Sequence, residues 1–172
     1  TVGGLKEGEE ISVRHLLEML LISSAADAAN TLAEYYGGGD IDKFVSMMNA
    51  KAKELKMDST NFMNPHGLHD ENHYSTASDL CKMAVYAYQM PIMMEICDQY
   101  IAKIPATNLS DERTMVTTNQ MINPTSVCYY KYARGIKTGF TTPAGRCLIT
   151  TASKGGYNYI CVVFGCPPDK KN

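Results

Sequence analysis

The chain has 172 residues, of which 45% are apolar, and it carries a formal net charge of −2 at pH 7. This length and apolar content are enough for one domain with its own hydrophobic core. The sequence has no stripe of basic residues, so we expect no nucleic-acid partner. It also has no apolar run long enough to cross a membrane.

The first part of the chain has the apolar spacing of three successive helices. Ser12 is a candidate N-cap for a helix over Val13–Ile22, in which the leucines form one apolar face. A second helix is predicted from about Ala25 to Tyr36, where three consecutive glycines end it. Asp40 follows the glycines and is a candidate cap for a third helix.

A fourth helix is predicted from Thr76 to about Ala87. Thr76 and Asp79 have the spacing of a capping box, in which a hydroxyl and an acidic group satisfy the first N–H groups of the helix. The methionine-rich stretch Met90–Met94 is interpreted as pliable core packing rather than as a soft ligand or a binding surface. The helical region is therefore expected to extend over about residues 10–125.

The last third of the chain changes to short runs rich in Val, Ile, Tyr and Thr. Strands are predicted over Gly135–Thr141, Arg146–Ala152 and Tyr159–Phe164. Lys154–Asn158 contains two glycines and is expected to join the last two strands as a hairpin. The predicted fold class is α+β, in which antiparallel strands over about residues 133–166 follow the helices.

The first predicted strand carries the tripeptide Lys137-Thr138-Gly139. A lysine can supply a positive charge, and a threonine hydroxyl can donate a hydrogen bond to an anionic group such as a carboxylate. Glycine leaves room for a peptide to pair with the strand. A chain of this length matches a given tripeptide by chance roughly one time in fifty. The tripeptide can therefore be either a peptide-binding motif or part of an ordinary strand with a solvated lysine.

The neighbouring segments decide between these interpretations. They are Leu20–Asn30, Asn61–Leu68, His73–Leu80, Tyr132–Thr141 and Ala144–Leu148. Together they resemble, in order and over essentially the whole chain, low-molecular-weight penicillin-binding proteins of the D-alanyl-D-alanine carboxypeptidase family, which share the Lys-Thr-Gly motif with serine β-lactamases. The resemblance implies part of the transpeptidase-like fold that these two groups of enzymes have in common.

The resemblance also implies a role for each motif residue. Ser24 corresponds to the serine of the family's Ser-x-Asn motif and would pass a proton to the leaving amine, supported by Lys137. Ser24 also has the position of a cap between two helices, and both roles can hold together. The backbone N–H of Phe140 would form half of the oxyanion hole. The implied substrate-binding residues are Thr138, Gly139, Phe140 and Thr141, and no metal or organic cofactor is needed.

Two departures from the family pattern bear on activity. The family nucleophile is the serine of a Ser-x-x-Lys motif, and no lysine of this chain has a serine three residues before it. The nearest imitations are Cys128 before Lys131 and Thr151 before Lys154. Cys128 lies in a tyrosine-rich stretch and is interpreted as coincidence. Ala26 stands where the family has asparagine. The chain is therefore expected to be a fragment or a shortened relative, inactive without its nucleophile.

The implied parent activity is removal of the terminal D-alanine from peptidoglycan stem peptides through an acylated serine. The implied partners are peptidoglycan pentapeptides and β-lactams. The implied location is extracytoplasmic and faces the cell wall, with membrane association only through segments outside this chain. A non-catalytic cell-wall or protein-binding module of the same fold is the first alternative. A serine β-lactamase is the second, although no glutamate has an asparagine four residues on, as class A members require for deacylation.

Six cysteines are spread along the chain without paired spacing, although an exported protein could oxidise them to disulfides. Cys81, Cys147 and Cys161 lie in apolar-periodic segments and are expected to be free, buried thiols.

The last predicted strand is expected to keep an open edge. In the family, N-terminal strands complete the five-stranded sheet and a C-terminal helix covers one of its faces. An open edge over Tyr159–Phe164 would favour self-association.

Two further groups of side chains allow more than one interpretation. The histidines within His66–His73, with Asp70, have the spacing of a metal cluster, as a zinc-dependent D-alanyl peptidase would need. The resemblance favours a polar turn that packs the scaffold. The aromatic residues Tyr129, Tyr130 and Tyr132 either line a peptide groove that leads to the Lys-Thr-Gly strand or cover the sheet.

Overall fold

The computed structural model describes residues 2–167, which form helices followed by an antiparallel sheet and so confirm the predicted α+β class. The helices are α1 (Val13–Ser23), α2 (Ala26–Gly37), α3 (Ile41–Glu54), α4 (Ala77–Tyr88) and α5 (Pro91–Cys97). The strands are β1 (Ile101–Ile104), β2 (Arg113–Val116), β3 (Ala133–Thr141), β4 (Gly145–Lys154) and β5 (Tyr157–Cys166).

Three helices begin at the caps that the sequence indicates. The side chains of Ser12, Asp40 and Thr76 each accept a hydrogen bond from the backbone N–H three residues on. These bonds satisfy donors that the first helical turn leaves without a partner. The run of glycines ends α2 as predicted, because Gly38 adopts the left-handed conformation (φ 72°) in which its N–H can bond back to the last turn.

Asp79 does not complete the capping box that its spacing predicts. Its buried carboxylate instead accepts hydrogen bonds from the backbone N–H of Ser59 (2.8 Å) and the hydroxyl of Thr60 (2.9 Å). It also pairs with the ammonium group of Lys82 at 2.8 Å. The acidic group therefore holds the loop that precedes α4, where these donors compete successfully with the N-terminus of the helix.

The predicted helical region also contains a two-stranded ribbon and a short helix that the sequence analysis missed. β1 pairs antiparallel with β2, so that Ala102 lies opposite Met115 and both are buried. Each strand has only four residues, which is too short for an alternating pattern to stand out. α5 begins at Pro91, a residue well suited to the first helical position, and it buries Met94 as the core-packing interpretation expects.

The main sheet has the strand order β3–β4–β5, and all its pairs are antiparallel. Lys154 and Tyr157 pair at the predicted hairpin, whose turn contains two glycines with positive φ. One face of this sheet packs on the helices: Ile136 of β3 and Ile149 of β4 form a cluster with Ala84 and Met94. A second cluster surrounds Met19 and Ile22 of α1, which are almost fully buried.

The cysteines differ from their predicted burial. All six are free thiols, but Cys97 is the buried one, whereas Cys161 is exposed and Cys81 and Cys147 are half-buried. Cys161 belongs to the sheet face opposite the helices, where it borders an apolar cleft of about 320 Å³. Cys161 therefore has apolar neighbours, as the sequence predicts, but none of the helices in residues 2–167 covers its side chain.

Gly135 lets the start of β3 lie directly against the end of α5. A Cβ atom at this position would lie 2.4 Å from the Cβ atom of Cys97 and 2.6 Å from its carbonyl oxygen. These separations are far shorter than van der Waals contact, and the second partner is backbone, which cannot rotate away. The residue at this position must therefore lack a side chain for β3 to keep its place.

We expect Gly135→Ala to lower the free energy of unfolding by about 1–3 kcal/mol, because an added methyl group overpacks this contact. Denaturation in urea would show the loss as a lower midpoint with an unchanged slope. Gly139→Ala on the same strand is the matched control, since a Cβ atom there would meet Cys147 at an ordinary 3.7 Å. Equal midpoints for the two variants would contradict the close approach.

Candidate active site

Ser24 lies at the junction between α1 and α2. It has a left-handed backbone (φ 63°, ψ 43°), and its N–H donates to the carbonyl oxygen of Leu20 at 3.1 Å. Apart from Lys56, it is the only non-glycine residue with positive φ among residues 2–167. Its predicted role as a helix junction is confirmed. The half-buried side chain makes no hydrogen bond to any described residue, so its hydroxyl is free for another partner.

Asp27 holds the junction in place. Its carboxylate accepts hydrogen bonds from the backbone N–H groups of Gly3 (2.7 Å), Leu5 (3.1 Å) and Ala28 (2.9 Å). Burial by itself raises the pKa of the Asp27 carboxyl, but these backbone donors outweigh it and the net pKa is lowered. The start of α2 is therefore tied to the N-terminal segment through a charged group.

Lys137 lies in the middle of β3 and is half-buried. Its ammonium group donates to the carbonyl oxygen of Thr138 at 2.9 Å. Burial lowers the pKa of Lys137 to about 8. Burial also raises the pKa of the Cys97 thiol to about 12, so the thiol is neutral near pH 7 and offers no counter-charge. Lys137 can therefore give up a proton far more readily than an exposed lysine.

Asp98 fixes β3 at Arg134 and Gly135, just before the Lys-Thr-Gly motif. Its carboxylate accepts hydrogen bonds from the Arg134 guanidinium, with 2.7 Å to Nε, and from the backbone N–H of Gly135 at 2.9 Å. The hydrogen bond to Asp98 raises the pKa of Arg134. The charged pair and the backbone bond together hold β3 in register against the end of α5.

The remaining predicted residues follow Lys137 along β3. Thr138 is half-buried, whereas Gly139 and the ring of Phe140 are exposed. The hydroxyl oxygen of Thr141 accepts a hydrogen bond from the N–H of Ala144 and so takes part in the turn to β4. β3 is an edge strand of the three-stranded sheet that residues 2–167 form. Its outer side is therefore available for backbone pairing with an extended peptide.

Comparisons with known proteins agree on one family. The profile of the D-alanyl-D-alanine carboxypeptidase family (peptidase S11) matches residues 3–167. A D-alanyl-D-alanine carboxypeptidase of Bacillus subtilis is 36% identical over 167 residues, which cover 97% of this chain and 41% of the relative. A second, from Mycobacterium tuberculosis, is 36% identical over 163 residues, which cover 94% of this chain and 53% of the relative.

Solved structures give the same result. The Streptomyces K15 DD-transpeptidase is 28% identical and superposes with a TM-score of 0.89, covering 98% of this chain and 66% of that chain. A D-alanyl-D-alanine carboxypeptidase from Mycobacterium tuberculosis is 32% identical with a TM-score of 0.86, covering 98% of this chain and 61% of that chain. This chain belongs to the D-alanyl-D-alanine carboxypeptidase family. It spans about half the length of the curated relatives that it matches.

Within this member of the family, a residue that the sequence analysis missed connects the two halves of the site. The backbone N–H of Thr118 donates to the carbonyl oxygen of Ile22 at 3.1 Å, two residues before Ser24. The Thr118 hydroxyl forms a short hydrogen bond with the hydroxyl of Thr138. In the described part of the chain, no hydrogen bond joins the side chains of Ser24 and Lys137 directly. No sequence signal marks Thr118, because both contacts are made only in the folded chain.

The other candidate groups lie outside this site. His66 and His73 each use Nδ1 to accept a backbone N–H, from Leu68 and Met63 respectively, so both take part in the turn. Tyr129 and Tyr132 line an open cleft of about 390 Å³ near the start of β3, together with Asp98 and Arg134. Tyr130 borders the apolar cleft on the uncovered sheet face. Two of the tyrosines thus line a cleft at the start of the Lys-Thr-Gly strand, as the first interpretation predicts, and the third lies against the sheet, as the second predicts.

The lowered pKa of Lys137 predicts how its contribution to stability varies with pH. Between about pH 8 and 10.5 the unfolded chain binds this proton and the folded chain does not, so folding is favoured increasingly as the pH rises. The stability of the wild type relative to Lys137→Met should therefore increase across this range and stay level below it. Urea midpoints of the two proteins, measured at matched pH values, give the difference.

Lys103→Met is the matched control, because the side chain of Lys103 is 70% exposed. Because Lys103 is not buried, the rise that burial causes for Lys137 should be absent in this control. If the stability difference between the wild type and Lys137→Met does not change with pH, the ammonium group is not buried. The same conclusion follows if the difference rises equally for Lys137→Met and Lys103→Met.

Proposed function

We propose that this chain is the substrate-recognition and proton-transfer part of a serine-type D-Ala–D-Ala carboxypeptidase that acts on peptidoglycan stem peptides. The observation that carries the proposal is a half-buried lysine with a pKa of about 8 on an open strand edge, followed directly by a threonine whose hydroxyl bonds to a second hydroxyl group. An extended peptide can pair with such an edge while the lysine and the hydroxyls address its end. Family membership supports the same reaction.

The proposed reaction is acyl transfer through a covalent intermediate. The nucleophile is a serine of a Ser-x-x-Lys segment, a motif that this chain does not contain. Its oxygen attacks the carbonyl carbon of the penultimate D-alanine while its proton passes to the lysine of the same segment, and the backbone N–H of Phe140 stabilises the resulting oxyanion. The bond to the terminal D-alanine then breaks as its amine takes a proton from the Ser24 hydroxyl, and the proton that the nucleophile lost restores this hydroxyl. Water finally hydrolyses the acyl-enzyme.

Lys137 supports Ser24 in this scheme. A lysine with a pKa of about 8 holds a substantial neutral fraction near physiological pH, so it can take a proton from a neighbouring hydroxyl and return it. Thr138 binds the terminal carboxylate of the substrate, and Gly139 and Thr141 border the peptide along β3. These roles need no metal or organic cofactor.

A non-catalytic binding module is the second candidate, and Ala26 is the observation that favours it. Ala26 begins α2 directly after the Ser24 junction and offers no polar group where the family has asparagine. The loss of one hydrogen bond to a charged group costs about 1.5–3 kcal/mol, which would slow the reaction without abolishing recognition.

We propose that the protein acts outside the cytoplasm, because its proposed substrate belongs to the cell wall. The proposed partners are peptidoglycan pentapeptides and β-lactams, which imitate the D-Ala–D-Ala end. A Listeria monocytogenes penicillin-binding protein solved in a cefotaxime-bound form is 30% identical with a TM-score of 0.77, covering 91% of this chain and 60% of that chain. None of the helices in residues 2–167 has the length and hydropathy of a membrane span.

Labelling with a fluorescent penicillin tests the proposed activity. We expect no covalent label on this chain alone, because it has no Ser-x-x-Lys serine. A protein in which a Ser-x-x-Lys segment precedes this chain should be labelled stoichiometrically, and it should release D-alanine from a D-Ala–D-Ala peptide. A denaturing gel and an assay for free D-alanine measure the two results.

The same longer protein carrying Lys137→Met is the control, and its labelling should be strongly reduced. Label on the isolated chain would show that the nucleophile lies within these residues. A folded longer protein that neither binds the penicillin nor releases D-alanine would contradict the proposed activity and favour the binding module.

We also propose that the isolated chain self-associates through β5. No strand within residues 2–167 pairs with the outer edge of β5, and the side chain of Tyr159 is 61% exposed. The neighbouring cleft on the uncovered face is lined by apolar groups that include Leu148 and Val163. An unpaired edge beside an apolar surface is a template for pairing with a second chain.

Size-exclusion chromatography with light scattering, under reducing conditions, should therefore show dimers or larger species whose fraction rises with concentration. Cys161→Lys places a charge on the exposed strand and should shift the chain toward the monomer. Val127→Lys, at an exposed position outside the strands, is the matched control and should not. A wild-type monomer at all concentrations, with β5 amides protected from hydrogen exchange, would refute this association.

A further inference from the structure

Thr118 presents a hydroxyl group next to the residue that we assign to the substrate carboxylate. It lies two residues after the end of β2, where its exposed side chain forms a short hydrogen bond with Thr138. Its backbone is held independently by the bond from its N–H to the carbonyl oxygen of Ile22. The position of this hydroxyl is therefore set by α1 rather than by β3.

The neighbouring hydroxyl groups are already engaged in other ways. The oxygen of Thr117 accepts the N–H of Asn119, and this side chain is buried. The oxygen of Thr141 accepts the N–H of Ala144. Among the described residues, the hydroxyl groups of Thr118 and Thr138 bond only to each other, and Thr138 directly follows Lys137 in β3.

Two hydroxyl groups that bond to each other suit a carboxylate ligand. Each hydroxyl has one O–H donor, and in the free pair only one of the two donors is used between them. A carboxylate has two acceptor oxygens, so both O–H groups can rotate and donate to it at once. The exchange replaces one neutral hydrogen bond by two charge-assisted ones, which are about twice as strong each.

We propose that Thr118 and Thr138 form a paired-hydroxyl site for the terminal carboxylate of the substrate, and that Thr118 is a specificity-determining residue for peptides with a free C-terminus. The assignment rests on the proposed peptidase function. It also gives the carboxylate a second contact, which is fixed to α1 at Ile22, two residues before Ser24. The substrate end is thus positioned against both halves of the site.

Kinetics with matched substrates tests this role, in the longer protein that includes a Ser-x-x-Lys segment. Thr118→Val should lower kcat/KM for an acetylated peptide ending in D-Ala–D-Ala by on the order of tenfold to a hundredfold. It should change kcat/KM for the corresponding C-terminal amide little. Thr118→Ser should retain the preference for the acid, and Thr114→Val, an exposed position on β2, is the matched control.

The double variant separates direct contact from an effect through Thr138. If Thr118 binds the carboxylate itself, Thr138→Val should keep part of the preference for the acid over the amide. Thr118→Val/Thr138→Val should then lose the remainder. A double variant with the same preference as Thr138→Val alone would overturn the proposal, and so would equal losses of the two substrates in Thr118→Val.

Failure of the proposed function is distinguishable from failure of this inference. If the unmutated longer protein cleaves neither peptide, the peptidase assignment fails, and equilibrium binding then decides on Thr118. Titration of the acid and the amide into unmutated protein and Thr118→Val, followed by the NMR signals of the threonine methyl groups, measures that binding. Acid-selective binding that Thr118→Val removes supports the paired-hydroxyl site. Equal binding of the two peptides, or unchanged selectivity in Thr118→Val, overturns it.

Discussion

The contact between the start of β3 and the end of α5 determines the geometry of the candidate site. Gly135 allows the two backbones to touch, and the Asp98 carboxylate fastens the strand through Arg134 and the Gly135 N–H. Lys137 follows two residues later on the same strand, beside Cys97. A strand held this closely can keep a lysine half-buried, whereas a looser strand would let its ammonium group reach solvent.

Burial and function are linked through the charge of Lys137. Desolvation of the ammonium group is unfavourable, and the neighbouring Cys97 thiol does not offset it because the thiol is neutral. The result is a lysine whose pKa lies near physiological pH, which is the condition for efficient proton exchange with a hydroxyl group. A structural cost at this position is thus the source of the proposed chemistry, as is common at catalytic sites.

Local signals made much of the fold predictable from the sequence. Ser12, Asp40 and Thr76 cap their helices through bonds to residues three positions away, so the relevant partners lie within one short window. The Lys-Thr-Gly motif was recognised through its resemblance to a family. Thr118 has no sequence signal, because its partners Ile22 and Thr138 are distant in sequence and meet it only in the folded chain.

The burial of the cysteines shows a further limit of sequence patterns. Apolar periodicity indicates that Cys161 belongs to a strand but not which face of the sheet a helix will cover, and its side chain is exposed. Short strands such as β1 and β2 contain too few residues for their alternation to be distinguished from helical spacing. Their ribbon nevertheless leads the chain to Thr118, so a feature without a sequence signature positions part of the site.

The groups proposed for peptide recognition are held in place independently of the proposed nucleophile. Lys137, Thr138 and Thr118 are held by contacts with α5 and α1, all within residues 2–167, and Asp27 fixes the Ser24 junction through the N-terminal segment. None of these contacts requires the nucleophilic serine. The groups that would hold the end of a peptide are therefore in place before any covalent step. A loss of acylation accordingly need not entail a loss of peptide binding, which is the property that a binding module derived from such an enzyme would retain.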